Sequence, residues 1–184
     1  WFREDDRDFQ TYYRRVFEEA ITVPGPEVDR LCEAAREAGT AVVMGVTEKR
    51  SGAVGTMFNT LVFVDADGTL LGARRKLMPT MQERLFHAAG TGADVRVFDS
   101  SLGSLGGMMC GEHTNHLLGF ALLGMGEDLH AASWPAFYWL DREEREERVG
   151  LRTRFHAYAG KVPTVLATGT VTDDLAAEFD GEIS

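Results

Sequence analysis

The chain has 184 residues, of which 44% are hydrophobic and 26% charged, a composition typical of a globular protein and not of a disordered one. Its 19 lysines and arginines against 29 acidic residues give a formal charge of −10, and no extended basic patch is present, which argues against nucleic-acid binding. The longest stretches without a charged residue are 14 residues, too short for a membrane helix, which needs about 20.

The first half of the chain predicts two helices and a hairpin. Apolar and aromatic side chains recur at helical intervals over 8–21, and again after Pro26, where a helix is expected to end at Gly39 with Cys32 on its core face. The continuous apolar run 40–46 is typical of a buried strand. Residues 58–64 and 69–74, joined by the turn residues 65–68, predict a hairpin.

The second half of the chain predicts alternating strands and helices. Strands are expected over 95–98, 105–109, 129–133 and 161–167, and helices over 114–123 and 141–158. In the last helix the acid-first pairs Asp141/Arg145 and Glu144/Arg148 are spaced i, i+4, which indicates a solvated helix. The alternation favours a layered α/β domain.

Cys110 is a candidate nucleophile. It follows an apolar strand that ends in Gly-Gly-Met-Met and precedes Gly111 and a predicted helix. Glycines allow a tight turn, and a nearby helix N-terminus lowers the pKa of a thiol. The alternative is a buried strand cysteine without chemistry. With Cys32 it could also form one disulfide, but two cysteines are no disulfide framework, and a reducing cytoplasm is the simpler expectation.

Lys76 is a candidate cationic site residue because it follows two arginines at a strand end, in the segment Arg-Arg-Lys-Leu-Met-Pro-Thr. The alternative is a solvated basic cluster. Glu83 comes seven residues later and, taken alone, would be an exposed helix residue.

The histidines raise the question of a metal site. His113 and His116 form an H-x-x-H pair beside Glu112, and on a helix the two would share a face. No second cluster has zinc-like spacing, and His130 is remote, so we expect no metal. His87 is expected to be exposed, and His156 to be packed or hydrogen-bonded.

Taken in order, these segments resemble the nitrilase (carbon–nitrogen hydrolase) family from about Phe9 to Ala167. The most specific parts are 75–80 with 83–85, and 107–112, with the lysine 34 positions before the cysteine. Further support comes from the segments 23–25, 58–61, 132–135 and 156–162.

The resemblance implies an α-β-β-α sandwich and a single domain over 1–184 that lacks the N-terminal segment and the C-terminal end of the family domain. It also implies a Glu–Lys–Cys catalytic set, in which Lys76 and Cys110 match the lysine and the cysteine and Glu83 an additional active-site glutamate. Gly111 and Glu112 are implied to stabilise charge and to position the site. The family's first glutamate would lie before Trp1.

Several positions depart from the family pattern. His113, His116 and Gly119 stand where close nitrilases tend to have asparagine, proline and arginine. Ala159 replaces a usual glutamate, and Pro163 a usual aromatic residue. These departures bear on substrate range and activity more than on fold.

The function that the resemblance implies is hydrolysis of a nitrile to a carboxylic acid and ammonia through a thioimidate on Cys110, without a cofactor. One alternative is an aliphatic amidase-type hydrolase, since the same apparatus acts on amides. Another is a catalytically silent, assembly-forming homologue. The expected partners are a small nitrile or amide and further copies of the chain, in a cytoplasmic homo-oligomer without nucleic acid or membrane.

Overall fold

A computed structural model describes residues 6–52, 54–136 and 142–170. The helices are α1 Asp6–Glu19, α2 Pro26–Ala38, α3 His116–Gly124 and α4 Arg142–Gly160. The strands are β1 Val42–Lys49, β2 Met57–Val64, β3 Leu70–Arg75, β4 Phe98–Ser100, β5 Gly103–Met109, β6 Leu129–Trp134 and β7 Thr164–Thr168. Short 3₁₀ turns cover Met81–Leu85, Gly92–Asp94 and Cys110–Thr114. The chain divides into two compact units, 1–101 and 102–184; the single domain expected over 1–184 stays a prediction.

The first unit contains an antiparallel sheet in the order β1-β2-β3. The predicted hairpin between β2 and β3 is confirmed, and its turn closes through the Gly68 N–H, which donates to the Asp65 carbonyl at 2.9 Å. Gly68 has a φ of 86°, and a Cβ there would lie 2.5 Å from the Cys32 carbonyl oxygen. The turn therefore needs glycine both for its backbone and for its close approach to α2.

Helix α2 packs on this sheet as its apolar spacing predicts. Val28 and Ala35 are buried together with Val62 and Val64 of β2, and Cys32 packs against this cluster while staying partly exposed. Pro26 occupies the first turn, and Gly39 ends the helix in the left-handed conformation. Burial, and then the charge of Asp29, raises the pKa of the Cys32 thiol, which indicates an unreactive packing cysteine.

Two predictions about strands of the first unit are wrong. The strand expected to be buried, β1, leaves Met44 44% exposed, because β2 covers one edge of β1 and among the described residues Ile21 bridges the other edge only at Glu48. The strand expected over 95–98 begins only at Phe98. Residues 92–94 instead form a 3₁₀ turn that the Asp94 carboxylate caps by accepting the Thr91 N–H at 2.7 Å.

The second unit is built on parallel strands β5, β6 and β7, which pair in that order. The last five residues of β5 are buried, as an apolar parallel strand requires. A Cβ at Gly106 would lie 1.8 Å from Glu127 Oε1, so the glycine lets a buried carboxylate approach the strand.

Helix α4 carries the predicted solvated ion pair, with Arg148 Nη2 3.2 Å from Glu144 Oε1 and both side chains exposed. The predicted Asp141/Arg145 pair lies outside the described side chains. None of the described helices is long and apolar enough to cross a membrane.

Candidate active site

Lys76 directly follows β3 and is buried. Its N–H donates to the Asn59 carbonyl at 2.7 Å, which continues the β2–β3 pairing by one residue. The side chain is 1% exposed, and its ammonium lies 2.6 Å from Glu83 Oε2. The alternative of a solvated basic cluster is therefore wrong, and Arg74 beside it is also fully buried.

Glu83 is fixed by the 3₁₀ turn in which it lies. Its Oε2 accepts the backbone N–H of Thr80 in a capping box as well as the Lys76 ammonium. The side chain is 33% exposed, so the alternative of a free exposed helix residue is wrong. The carboxylate compensates the burial of the ammonium, which without a partner would be very costly.

Sequence reasoning missed a second ion pair near this strand end. The Arg75 guanidinium binds Glu48 of β1 at 2.5 and 3.0 Å, and the Thr60 hydroxyl donates to the same carboxylate at 2.7 Å. The β1–β2–β3 pairing brings these residues together, and no spacing in the sequence signals it. The pair holds Arg75, the residue before Lys76, to the opposite strand of the sheet.

His87 differs from its prediction of exposure. Both ring nitrogens are buried, and neither has a hydrogen-bond partner among the described residues. Burial lowers the pKa of His87. The imidazole therefore favours the neutral form.

Cys110, in the second unit, begins the 3₁₀ turn after β5 with a φ of 48°. This left-handed backbone is costly for a residue with a Cβ, by about 1–3 kcal/mol, and is concentrated at functional sites. The thiol is half-buried and packs against Ala132, Trp134 and Val149. The predicted helix begins two residues later than expected, as α3 at His116, where the Asn115 side chain caps it, and the 3₁₀ turn Cys110–Thr114 lies between it and β5.

Three consecutive side chains hold the segment 109–114, here called the cysteine elbow. The Glu112 carboxylate accepts the Met109 N–H at 3.0 Å, and His113 Nδ1 lies 3.0 Å from the Cys110 carbonyl. The Thr114 hydroxyl donates to the Gly111 carbonyl at 2.7 Å. Each side chain reaches back three residues, so the backbone on both sides of the thiol is fixed.

His113 belongs to a buried chain of side chains that includes His130, Glu127 and His156, here called the histidine network. His113 Nε2 lies 3.2 Å from His130 Nε2, and His130 Nδ1 lies 2.6 Å from Glu127 Oε1. Glu127 Oε2 in turn lies 2.8 Å from His156 Nε2. The prediction that His130 is remote is therefore wrong, whereas a hydrogen-bonded His156 is confirmed.

The network has the geometry of hydrogen bonds and not of free ligands. The ligand atoms of Glu127, His130 and His156 lie within 4.8 Å of one another, but each oxygen of Glu127 is already bonded to an imidazole. Burial, and then the neighbouring His130, lowers the pKa of His113 to about 3, so this ring is neutral at physiological pH.

Four of the departures from the family pattern line one cavity of about 140 Å³ in the second unit. His113, His116, Gly119 and Ala159 all contribute to its wall, beside Phe155. The usual arginine and glutamate at 119 and 159 would both reach into this space.

Comparison with known proteins shows that this chain is similar to carbon–nitrogen hydrolases. The carbon–nitrogen hydrolase family matches residues 9–182. A protein called nitrilase 3, from an unknown prokaryotic organism, is 38% identical over 169 residues, which are 92% of this chain and 50% of that protein. An aliphatic nitrilase from Rhodococcus rhodochrous is 37% identical over 168 residues, 90% of this chain and 45% of that protein. The chain thus spans about half the length of these relatives.

Two solved structures show the fold. A carbon–nitrogen hydrolase from Helicobacter pylori G27 superimposes with a TM-score of 0.71 at 19% identity, and the match covers 100% of this chain and 62% of that protein. Nit3 of Saccharomyces cerevisiae, a member of branch 10 of the nitrilase superfamily, superimposes with a TM-score of 0.73 at 17% identity. The match covers 88% of this chain and 59% of that protein. The predicted nitrilase-type α/β fold is confirmed, and the chain belongs to the carbon–nitrogen hydrolase family.

Proposed function

We propose that the gene product hydrolyses a small nitrile to the carboxylic acid and ammonia, with Cys110 as the nucleophile. The observation that carries this proposal is the cysteine elbow, in which a half-buried thiol follows a buried strand in a left-handed conformation held by Glu112 and His113. Strain of this kind persists only where the surroundings fix it, and it presents a nucleophile beyond the strand end.

The reaction proceeds through covalent intermediates. The Cys110 sulfur adds to the nitrile carbon, one carbon–nitrogen π bond breaks, and the nitrogen takes a proton to give a thioimidate. Water adds to this carbon, ammonia leaves with a further proton, and a thioester remains. A second water releases the acid and returns the proton to the sulfur, so two waters are consumed for each nitrile.

In this proposal, Lys76 and the backbone N–H of Gly111 stabilise the negative charge that develops during the reaction. The ammonium is a compact positive charge held by Glu83, and it would stabilise the negative charge that develops on nitrogen or oxygen. Gly111 is the second residue of the turn, where an N–H has no acceptor within that turn. Glu112 positions the elbow. The general base is the family glutamate expected before Trp1.

An amide is the alternative substrate, because the same thiol would form the thioester directly with release of ammonia. Incubation of the gene product with a nitrile and, separately, with the matching amide, followed by ammonia measurement, distinguishes the two. Ammonia from the nitrile supports the proposal, and ammonia from the amide alone contradicts it. Turnover of neither substrate favours the silent homologue.

The two cysteines provide a matched pair of variants for the same assay. Cys110→Ala is expected to abolish ammonia release, whereas Cys32→Ala, at a packing cysteine, is expected to leave it within about threefold of the unmodified protein. Ammonia release that survives Cys110→Ala would rule out the covalent mechanism.

We also propose that the protein forms a homo-oligomer. Leu151, Phe155 and Tyr158 form an exposed apolar stripe on α4 at helical spacing, and Leu117 and Phe120 are exposed on α3. A second copy of the chain would cover these side chains. Light scattering after size exclusion tests this proposal, and a monomer that persists at high concentration would contradict it.

A further inference from the structure

The histidine network determines where its protons lie. A carbonyl oxygen only accepts hydrogen bonds, so His113 Nδ1 must carry the proton that it shares with the Cys110 carbonyl. With His113 neutral, its Nε2 is an acceptor, and His130 Nε2 must donate to it across 3.2 Å. His113 is therefore the donor to the Cys110 carbonyl, and His130 is the donor to His113.

The same reasoning reaches Glu127. His130 already donates from Nε2, so its Nδ1 either donates to a Glu127 carboxylate, which makes His130 an imidazolium, or accepts from a protonated Glu127. Burial raises the pKa of Glu127, but the hydrogen bonds from His130 and His156 outweigh burial and lower it overall. The imidazolium–carboxylate arrangement follows, with one proton held between the two side chains.

Among the described residues, His113 and His156 contact this pair, and Glu112 is a further buried acid of the same unit. His113 and the buried Glu112 lie in the 3₁₀ turn, and His156 lies on α4. His156 donates to the second oxygen of Glu127, and Glu112 is engaged by the Met109 N–H. The Glu127–His130 pair is thus neutral as a whole while its N–H points outward at His113.

We propose that His113, oriented by the Glu127–His130 pair, is a positioning residue that fixes the Cys110 carbonyl and so the left-handed backbone that presents the thiol. The proposal rests on the proposed role of Cys110 as the nucleophile. Because the Cys110 φ is unfavourable, loss of the bond from His113 releases the elbow toward ordinary backbone conformations. The thiol then loses its direction, which slows the covalent step more than substrate binding.

The arrangement also gives a role to a departure from the family pattern. Asparagine, the usual residue at 113, offers an N–H donor to the same carbonyl, but its shorter side chain carries no second ring nitrogen for His130. Histidine at 113 therefore links the elbow to the buried pair. We expect His113→Asn to keep much of the elbow function and His113→Phe, which keeps the ring stacked on Trp134 but has no donor, to lose it.

The test uses the gene product in a Cys32→Ala background, so that Cys110 is the one thiol of this chain. Alkylation of Cys110 by iodoacetamide is followed by mass spectrometry across pH 6–9, and kcat and KM are measured with a nitrile. His113→Phe should lower both the alkylation rate and kcat by roughly 10- to 100-fold with KM changed by less than about threefold. His113→Asn should recover most of both losses. Glu147→Phe, at an exposed position of α4 in the same unit, is the control and should change neither.

Histidine side-chain nitrogen NMR on the unmodified protein gives a readout that needs neither turnover nor a variant. His113 should carry one proton, on Nδ1, and His130 should carry protons on both nitrogens at pH 7.5. A His113 protonated on Nε2 instead, or unchanged alkylation in His113→Phe, would overturn the proposal. Turnover that survives Cys110→Ala would overturn the proposed function, while the alkylation and NMR results still decide the role of His113 at the elbow.

Discussion

At the scale of single residues, the site around the buried Lys76 side chain accommodates an ammonium group because of its small size as well as its charge. It is 1% exposed and contacts Glu83 at 2.6 Å, so the surrounding packing fits a compact cation. A guanidinium is planar and larger, and cannot occupy that position without displacing its neighbours.

Lys76→Arg should therefore lower kcat/KM by about 10²–10³-fold, although the charge is conserved. The measurement is steady-state ammonia release from a nitrile. Arg36→Lys, an exposed exchange of the same pair of residue types, is the control and should have no effect. Near-normal activity of Lys76→Arg would remove Lys76 from the proposed site.

His87 and His130 both have buried ring nitrogens, but only those of His130 are hydrogen-bonded among the described residues, so the two allow a paired test of stability. His87 has no partner for its ring nitrogens among the described residues, so His87→Leu should change the free energy of unfolding by less than about 1 kcal/mol. His130→Leu leaves the buried Glu127 carboxylate without one of its partners and should cost about 3–5 kcal/mol. Urea denaturation measures both. Equal losses would contradict this account of the two sites.

At the scale of elements, the cavity between α3 and α4 predicts coupling between two positions. Gly119→Arg places a charge in a mostly apolar cavity, and its Cβ would lie 3.1 Å from His156 Nδ1, so the single change should cost about 1–3 kcal/mol. Adding Ala159→Glu supplies a partner in the same cavity. A double-mutant cycle by urea denaturation should show about 0.5–3 kcal/mol of favourable coupling. Additive costs would mean that the two side chains do not meet.

Local patterns predicted the elements whose formation depends on local chemistry. Helix α2 follows from Pro26, the apolar spacing and Gly39, and the β2–β3 hairpin follows from its turn residues. The strand expected over 95–98 begins only at Phe98, because the turn that the Asp94 carboxylate caps holds the Val95 N–H on the Gly92 carbonyl. Such a turn depends on a single side-chain bond and is invisible in apolar periodicity.

The candidate site was predictable only in part. The segments that carry Lys76, Glu83 and Cys110 are distinctive in sequence, whereas the contact of His113 with His130 arises because β5 and β6 are parallel neighbours. Parallel pairing joins residues far apart along the chain, and nothing in the spacing of histidines indicates it.

At the scale of the whole molecule, the buried histidine network makes stability depend on pH. The folded pKa of His113 is about 3, well below its ordinary 6.5, so between these values the unfolded chain binds a proton that the folded chain does not. The contribution of His113 to stability is fully present above pH 6.5 and falls as the pH drops toward 3. The lowered pKa of Glu127 acts in the same direction below its ordinary 4.5.

In His113→Asn the unfolded chain no longer takes up this proton. Between pH 6 and 4 the free energy of unfolding should therefore change with pH less steeply than in the unmodified protein, by about 1.4 kcal/mol per pH unit. Urea denaturation of both proteins across this range measures the two slopes. His116→Asn, at an exposed histidine, should retain the unmodified slope. Identical slopes in all three proteins would contradict the burial of a neutral His113.

The central claim is that Cys110 forms a covalent intermediate during hydrolysis, and acid quenching during nitrile turnover tests it most directly. Mass spectrometry of the digested gene product should show a thioimidate or thioester adduct on the peptide that contains Cys110 and none on the peptide that contains Cys32. An adduct on another residue, or turnover with Cys110 unmodified throughout the steady state, would contradict the claim.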